Sequence, residues 1–407
     1  MKDHYEKVIT LCCFLFIFAN IGLPSTSFSV YQPYIVAMPA VGNTGGSIIL
    51  AVRTLTTIVA MLFVDRYFNL LGARMGVCFA TVLTAMGFFA YSIATAMPMF
   101  VIGAILAGAG YGFGGMVGMT MLVNRWYEGD RGSAIGFATV GSGVASIVIP
   151  VIVVAIISNI SLQIAFIVEA YMALIIAVII GVFLRNDPSA MGMQKHKHVA
   201  TAAEKAHRVT HHKPIPMPNR ARNRFFLALA AVGGICMGAL TYLSVYLTTS
   251  GYNDFFAAAM LSVAGISLTI SKYATGKLFD KIDTARATAI MFGLQTSGIL
   301  CLCAAVLVNP LFAIAGSVLF GAGMALGTVG TSEWSLELAP EHGRGKFIKN
   351  CQVVYVIGGL VMNFLPGPLK DLLGSYFYTY VILLVLSVAA MAIVVATLNR
   401  WRAPIEE

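Results

Sequence analysis

ISLTISKYATGKLFDKID, residues 266–283, sets one ammonium group, Lys272, in the middle of an apolar run and reaches its first acid, Asp280, eight residues later. On a helix eight residues rise about 12 Å. If the run crosses a bilayer, the amine sits inside hydrocarbon and Asp280 marks the edge. The rest of the chain favours that reading. Of 407 residues, 58% are hydrophobic and 11% charged, and the mean hydropathy is +0.85. A soluble domain carries roughly 25% charged residues, so this chain lacks the polar surface to face water on all sides. Its apolar runs match the roughly 20 residues that a helix needs to span hydrocarbon. The expected fold class is an all-α polytopic membrane protein.

Twelve spans are predicted, at 7–30, 46–64, 75–95, 98–123, 133–157, 162–184, 224–249, 255–279, 286–308, 310–334, 347–369 and 376–398. The first run is longer than the apolar core of a signal peptide and leads into further spans, so it is read as a helix. The net charge of +9 is spent on topology rather than on nucleic acid. With both termini inside, Lys2, Lys7, Arg66, Arg74, Arg125, Arg131, Lys277, Lys281, Arg286, Arg344, Lys346, Lys349, Arg400 and Arg402 all fall on the cytoplasmic side. Lys370 falls outside, and Arg53 and Lys272 fall within the membrane. The expected location is a cell membrane, multi-pass, of the prokaryotic inner-membrane kind, with the bilayer as a partner.

One long polar stretch divides six spans from six. The expected domains are an N-terminal bundle over 1–184, a basic cytoplasmic linker over 185–223 and a C-terminal bundle over 224–407. Five of the seven histidines (His196, His198, His207, His211, His212) lie in the linker. A zinc or pH-sensing role is conceivable there, but a solvated basic linker accounts for the composition. Seven cysteines fall inside apolar runs and read as small buried hydrophobes. No metal and no cofactor is expected.

The halves echo each other. MLFVDRYFNLLGAR (61–74) follows the second span and GKLFDKIDTARA (276–287) the eighth. NRWYEGDRGSAIGF (124–137) follows the fourth and EWSLELAPEHGRGKF (333–347) the tenth, each with Arg-Gly at the start of the next span. Parallel six-span repeats are one of the transporter architectures. This layout resembles the major facilitator superfamily. Gly276, Leu278 and Asp280 fit its Gly-x-Leu-x-Asp loop signature, whereas the first half has Met61 and Phe63 in the corresponding places. The stretch NRWY…DRGSAIGF, together with SFSVYQP (27–33), resembles the oxalate/formate antiporter and monocarboxylate transporter group.

Ionisable groups inside a membrane cost about 2.5–3.5 kcal/mol on insertion scales and usually face a cavity. Lys272 is the first such group; snorkelling is the bland alternative, but Lys277 and Lys281 already occupy the near edge. The resemblance implies a basic residue at this position that meets a substrate carboxylate. Where proton-coupled members carry an aspartate one turn earlier, this chain has Leu268. Arg53 is either half of a structural ion pair or a second cation for the cargo, replacing a charge that the resemblance would place near Cys351. Glu169, deep in the sixth span, either pairs with Arg53 or carries a proton. Tyr31, Tyr111, Tyr242, Tyr246 and Tyr355 lie in spans that the resemblance implies line the cavity, where a phenol can serve a carboxylate. Asp65, Arg66, Arg74, Arg131, Asp280, Lys281 and Arg344 are expected to gate the cytoplasmic face.

GAGYGFGG (108–115) contains a GxGxxG match at Gly110, Gly112 and Gly115. A dinucleotide site would need a strand before it, whereas inside an apolar helix these residues allow close helix approach. The expected function is secondary active transport of a small organic anion, a monocarboxylate in the preferred reading, as proton symport or anion exchange, by a monomer. Export of amphipathic compounds is the alternative within transport, and a transporter-like sensor is the remote one. No enzymatic chemistry and no nucleic-acid partner is expected.

Overall fold

A computed structural model describes residues 5–127, 131–191, 212–215, 217–340 and 343–404. Among them are twelve helices long and apolar enough to cross a membrane. They are α1 (Tyr5–Val36), α2 (Gly42–Leu62), α3 (Val64–Ser92), α4 (Met97–Val123), α5 (Ala134–Asn159) and α6 (Leu162–Phe183), followed by α7 (Asn219–Thr249), α8 (Asp254–Phe279), α9 (Thr284–Leu307), α10 (Leu311–Glu337), α11 (Lys346–Leu373) and α12 (Phe377–Arg400). The chain divides into two compact units, residues 1–202 and 203–407. Each unit holds six spans.

Helices dominate because hydrocarbon offers backbone groups no partner, and a helix satisfies them within itself. Departures from regular helix are where the sequence reading needs correction. The acid-base stretch expected as a loop over 65–74 is helical and joins α3 through Gly72, whose φ of +72° suits a residue without a Cβ. In α1, residues Phe18–Ser27 form a π-helix around Pro24, since proline has no N–H to continue the ladder. Pro150, by contrast, sits inside an uninterrupted helix. In α10 the helix from Leu311 stops at Gly323, a 3-10 turn covers Met324–Gly327, and helix resumes at Val329. The linker is shorter than expected at its far end, because α7 already begins at Asn219.

In the first unit, the GxGxxG match is a packing face. A Cβ on Gly110 would meet the Ala80 carbonyl and Thr84 of α3, and one on Gly112 would meet Ala60 and the Thr57 carbonyl of α2. Thr57 Oγ1 also donates across this contact to the Gly108 carbonyl at 3.0 Å. Asn20 ties α1 to α3: its Nδ2 donates to Thr81 Oγ1 at 2.9 Å and its Oδ1 accepts from Thr84 Oγ1 at 2.7 Å.

In the second unit, α7 and α11 touch backbone to backbone, since a Cβ on Gly358 would run into the Ala230 carbonyl. Gly358→Val is therefore expected to wedge α7 from α11 and cost roughly 2–4 kcal/mol of stability. A size-exclusion profile in detergent that stays monodisperse, with an unchanged melting temperature, would refute this. A short antiparallel ribbon closes the same unit. β1 (His212–Pro214) pairs with β2 (Arg402–Pro404), and the Ile215 amide donates to the Trp401 carbonyl at 3.0 Å.

Candidate functional site

In the second unit the site is built around Lys272. On α8, Ile266, Ile270 and Tyr273 are 42%, 65% and 69% exposed and define the face that lipid covers. At 100° per residue Lys272 stands on the opposite side, in line with Gly265, Leu268 and Phe279. It is half-buried, about 10 Å along the helix from Phe279. Among the described residues its ammonium makes no hydrogen bond or ion pair.

The residue before Lys272 joins α8 to the interruption of α10. Ser271 Oγ donates to the Ala322 carbonyl at 2.7 Å, next to the 3-10 turn over Met324–Gly327. Broken helices at membrane depth are tolerated where they line a cavity or are buried in protein. Around this one the neighbours are polar. Gln295 Nε2 of α9 donates to Cys236 Sγ of α7 at 3.5 Å, and the Tyr355 hydroxyl of α11 also reaches that sulfur. A Cβ on Gly327 would meet both Tyr355 Oη and Cys236 Sγ, and one on Gly323 would strike Gln295. Lys272, the α10 break and Tyr355 thus belong to one region, and Tyr355 is half-buried there.

Tyr242 and Tyr246 are engaged in packing. Both are fully buried, and their hydroxyls donate to the Asn363 and Leu302 carbonyls at 2.7 and 3.0 Å. Tyr246 also stacks on Tyr380 with ring centroids 4.1 Å apart. A phenol that ties helix to helix in this way is packing, not lining.

In the first unit, Arg53 of α2 is buried and engaged. Its guanidinium donates to the Pro24 carbonyl in the π-helical part of α1 and lies 5.5 Å from the centre of the Phe28 ring. The arginine thus ties α2 to the π-helical part of α1. Tyr31 is fully buried, stacked on Phe166 at 3.9 Å. Glu169 lies one turn beyond Phe166 on α6, 1% exposed, within electrostatic reach of the Tyr31 phenol. Tyr111 is half-buried, within electrostatic reach of Arg53. Arg53, Tyr31, Tyr111 and Glu169 are therefore brought into one neighbourhood, around aromatic rings.

The expected gating residues divide. Asp65 and Arg66 are exposed, and among the described residues neither makes a hydrogen bond or ion pair. Arg74 donates instead to the Gly181 carbonyl at the end of α6, at 2.8 Å through Nε. Lys281 and Arg344 are exposed. The side chains of Arg131 and Asp280 lie outside the described residues, as do His196, His198, His207 and His211 of the linker.

The charge network in the second unit is one that residue-by-residue reading missed. Arg402 Nη2 donates to Asp283 Oδ1 at 2.9 Å and Nη1 to Glu337 Oε2 at 2.8 Å. Thr284 Oγ1 donates to Glu337 Oε1 at 2.5 Å. Burial alone would raise the Asp283 carboxyl, but the Arg402 guanidinium and the Ala285 and Arg286 amides outweigh it and hold the group below the usual carboxylate range. Asn20 and Gln295 were also missed, although an amide inside an apolar run is itself a sequence signal of helix-to-helix hydrogen bonding.

Comparison with known proteins agrees with this architecture. Residues 9–349 match the family model described as Major Facilitator Superfamily. A bovine protein, monocarboxylate transporter 13 (Bos taurus), is 24% identical over 315 residues, which are 76% of this chain and 70% of that protein. Among solved structures, a D-xylose-proton symporter superposes with a TM-score of 0.74 at 14% identity, covering 98% of each chain. The peptide transporter POT gives 0.71 at 16% identity, covering 94% of this chain and 93% of its own. These likenesses to solved structures carry the fold alone. With a family match over most of its length and twelve membrane-spanning helices in two six-helix units, this chain belongs to the major facilitator superfamily of transporters.

Proposed function

We propose that this transporter moves a small organic anion, a monocarboxylate, across a cell membrane by alternating access, with both termini cytoplasmic. The observation that carries this reading is Lys272, a half-buried cation turned away from the lipid face and without an acid partner among the described residues. A carboxylate brought to that amine exchanges one hydrated ion for a charge-assisted contact, which is strong in a site screened from water. Tyr355, at the α10 break, is assigned to the same path as a hydroxyl donor, and Tyr111 is assigned to substrate contact within the first unit.

Arg53 bears on the number of charges the cargo carries. A guanidinium that already serves the Pro24 carbonyl and the Phe28 ring is a structural group, which leaves Lys272 as the cation for the cargo. One cation suits one carboxylate. The name of the bovine relative points the same way. Glu169, beside Tyr31, is assigned either to proton coupling or to structural pairing with Arg53, so the mode is symport or anion exchange. Asp65, Arg66, Arg74, Arg131, Asp280, Lys281 and Arg344 are assigned to the gate at the basic face.

Counterflow in proteoliposomes separates these modes. With the purified protein and a panel of labelled mono- and dicarboxylates at pH 6 and pH 8, monocarboxylates are expected to exchange saturably and dicarboxylates not. Accumulation driven by an inward proton gradient, lost in Glu169→Gln, would mark symport; exchange indifferent to the gradient would mark antiport. Exchange of dicarboxylates at the monocarboxylate rate would overturn the single-cation reading. Transport of amphipathic cations in place of anions would favour an exporter.

A further inference from the structure

Within the second unit, α8, α9 and α10 leave a groove of about 550 Å³ on their outer surface. Its walls include Ile266, Ile270 and Ala274 of α8, Ile290 and Leu294 of α9, and Val318 of α10. Three hydroxyls lie along it, and each is engaged within the helices. Thr275 Oγ1 donates to Met291 Sδ at 3.6 Å. Ser267 Oγ donates to the Val318 carbonyl at 2.6 Å, and Ser271 Oγ to the Ala322 carbonyl at 2.7 Å. The groove is therefore chemically apolar, and lipid is what covers this face.

One end of the groove is cationic. Lys277 and Lys281 continue the exposed stripe of α8 that runs through Ile270, Tyr273 and Ala274, and Arg286 lies one turn before Ile290 on the same side of α9. All three side chains are exposed. Lys277 Nζ stands 4.5 Å from the centre of the Tyr273 ring, and among the described residues none of the three makes an ion pair. The acid nearest in sequence to Arg286, Asp283, is taken by Arg402. Apolar walls thus lead to exposed cations that, among the described residues, make no ion pair.

We propose that this groove is a binding site for an anionic phospholipid, which lays an acyl chain along α8 and α10 and sets its phosphate headgroup between Lys277, Lys281 and Arg286. A bilayer phospholipid supplies both halves of the match, and a zwitterionic headgroup supplies only the apolar half. The inference is independent of the cargo.

Native mass spectrometry of the full-length protein, released from detergent with equal amounts of phosphatidylglycerol and phosphatidylcholine, tests it. Wild-type protein is expected to retain phosphatidylglycerol preferentially. Lys277→Gln with Arg286→Gln should cut that preference by about fivefold for each cation removed, and 0.5 M salt should cut it in wild type. Lys277→Arg with Arg286→Lys should keep it, which separates charge from misfolding. Ala274→Phe, which fills the groove from its exposed wall, should lower retention of both lipids. An equal preference in the Gln pair, or full retention in Ala274→Phe, would overturn the assignment.

Discussion

Lys272→Gln is expected to reduce uptake of the transported anion by at least about thirtyfold while leaving the protein folded. The glutamine keeps polarity and nearly the same reach but removes the charge, and truncating one partner of a desolvated charge pair costs roughly 2–5 kcal/mol. Stability should not fall with it. The ammonium lies half-buried in the eighth span and has no acid partner among the described residues, so its neutral replacement relieves a desolvation cost of about 2.5–3.5 kcal/mol. A melting temperature equal to or above wild type, beside lost uptake, is the expected pair of results. Lys272→Arg should keep measurable uptake with a weaker apparent affinity, because the planar fork holds the charge at a different distance and angle. Uptake by Lys272→Gln near the wild-type rate would remove the residue from the site.

Arg402→Met is expected to cost roughly 2–4 kcal/mol of stability, or a melting temperature lower by about 5–10 °C. The side chain is 4% exposed and joins Asp283 of the α8–α9 turn to Glu337 at the end of α10. Removing it leaves Glu337, whose side chain is 10% exposed, with the Thr284 hydroxyl but no cation, and unties β2 from the turn. Most of the cost comes from that carboxylate, since Asp283 is a third exposed and solvent screens it. Hydrogen exchange over residues 398–404 should accelerate in the variant; unchanged protection there would refute the clamp. The pH dependence has a definite sign. Asp283 is held below its unfolded value of about 3.9, so its contribution is present above that pH and is lost only as pH falls through the lower, folded-state value. The tail is therefore expected to stay docked from neutral pH down to about pH 4 and to loosen below it.

The twelve spans were legible because crossing a bilayer is a condition each segment meets alone: enough apolar residues in a row, with charges at the ends. Expected and observed limits of α4, α6, α9 and α12 agree within a turn for that reason. The intramembrane cation at Lys272 stood out on the same ground, since a charge inside hydrocarbon is costly wherever the helix goes. The internal form of α1 and α10 was less legible, because whether a proline or glycine breaks a helix depends on what the neighbouring helices offer its backbone groups. Pro24 meets Arg53, and Pro150 leaves α5 continuous. The sorting of tyrosines was not legible at all. Tyr242 and Tyr355 are alike in sequence context, and only packing against Asn363 or against the α10 break distinguishes them.

By itself the sequence determined how many helices are long and apolar enough to cross the membrane, because that depends on the exchange of each side chain between water and lipid. Only the tertiary structure decided which polar groups are spent on one another. Arg402 and Asp283 are 119 residues apart, and no local pattern says that one neutralises the other while Lys277, Lys281 and Arg286 stay open to the solvent. That is settled by the packing of distant helices, which sets whether a charge has a partner at about 3 Å or none.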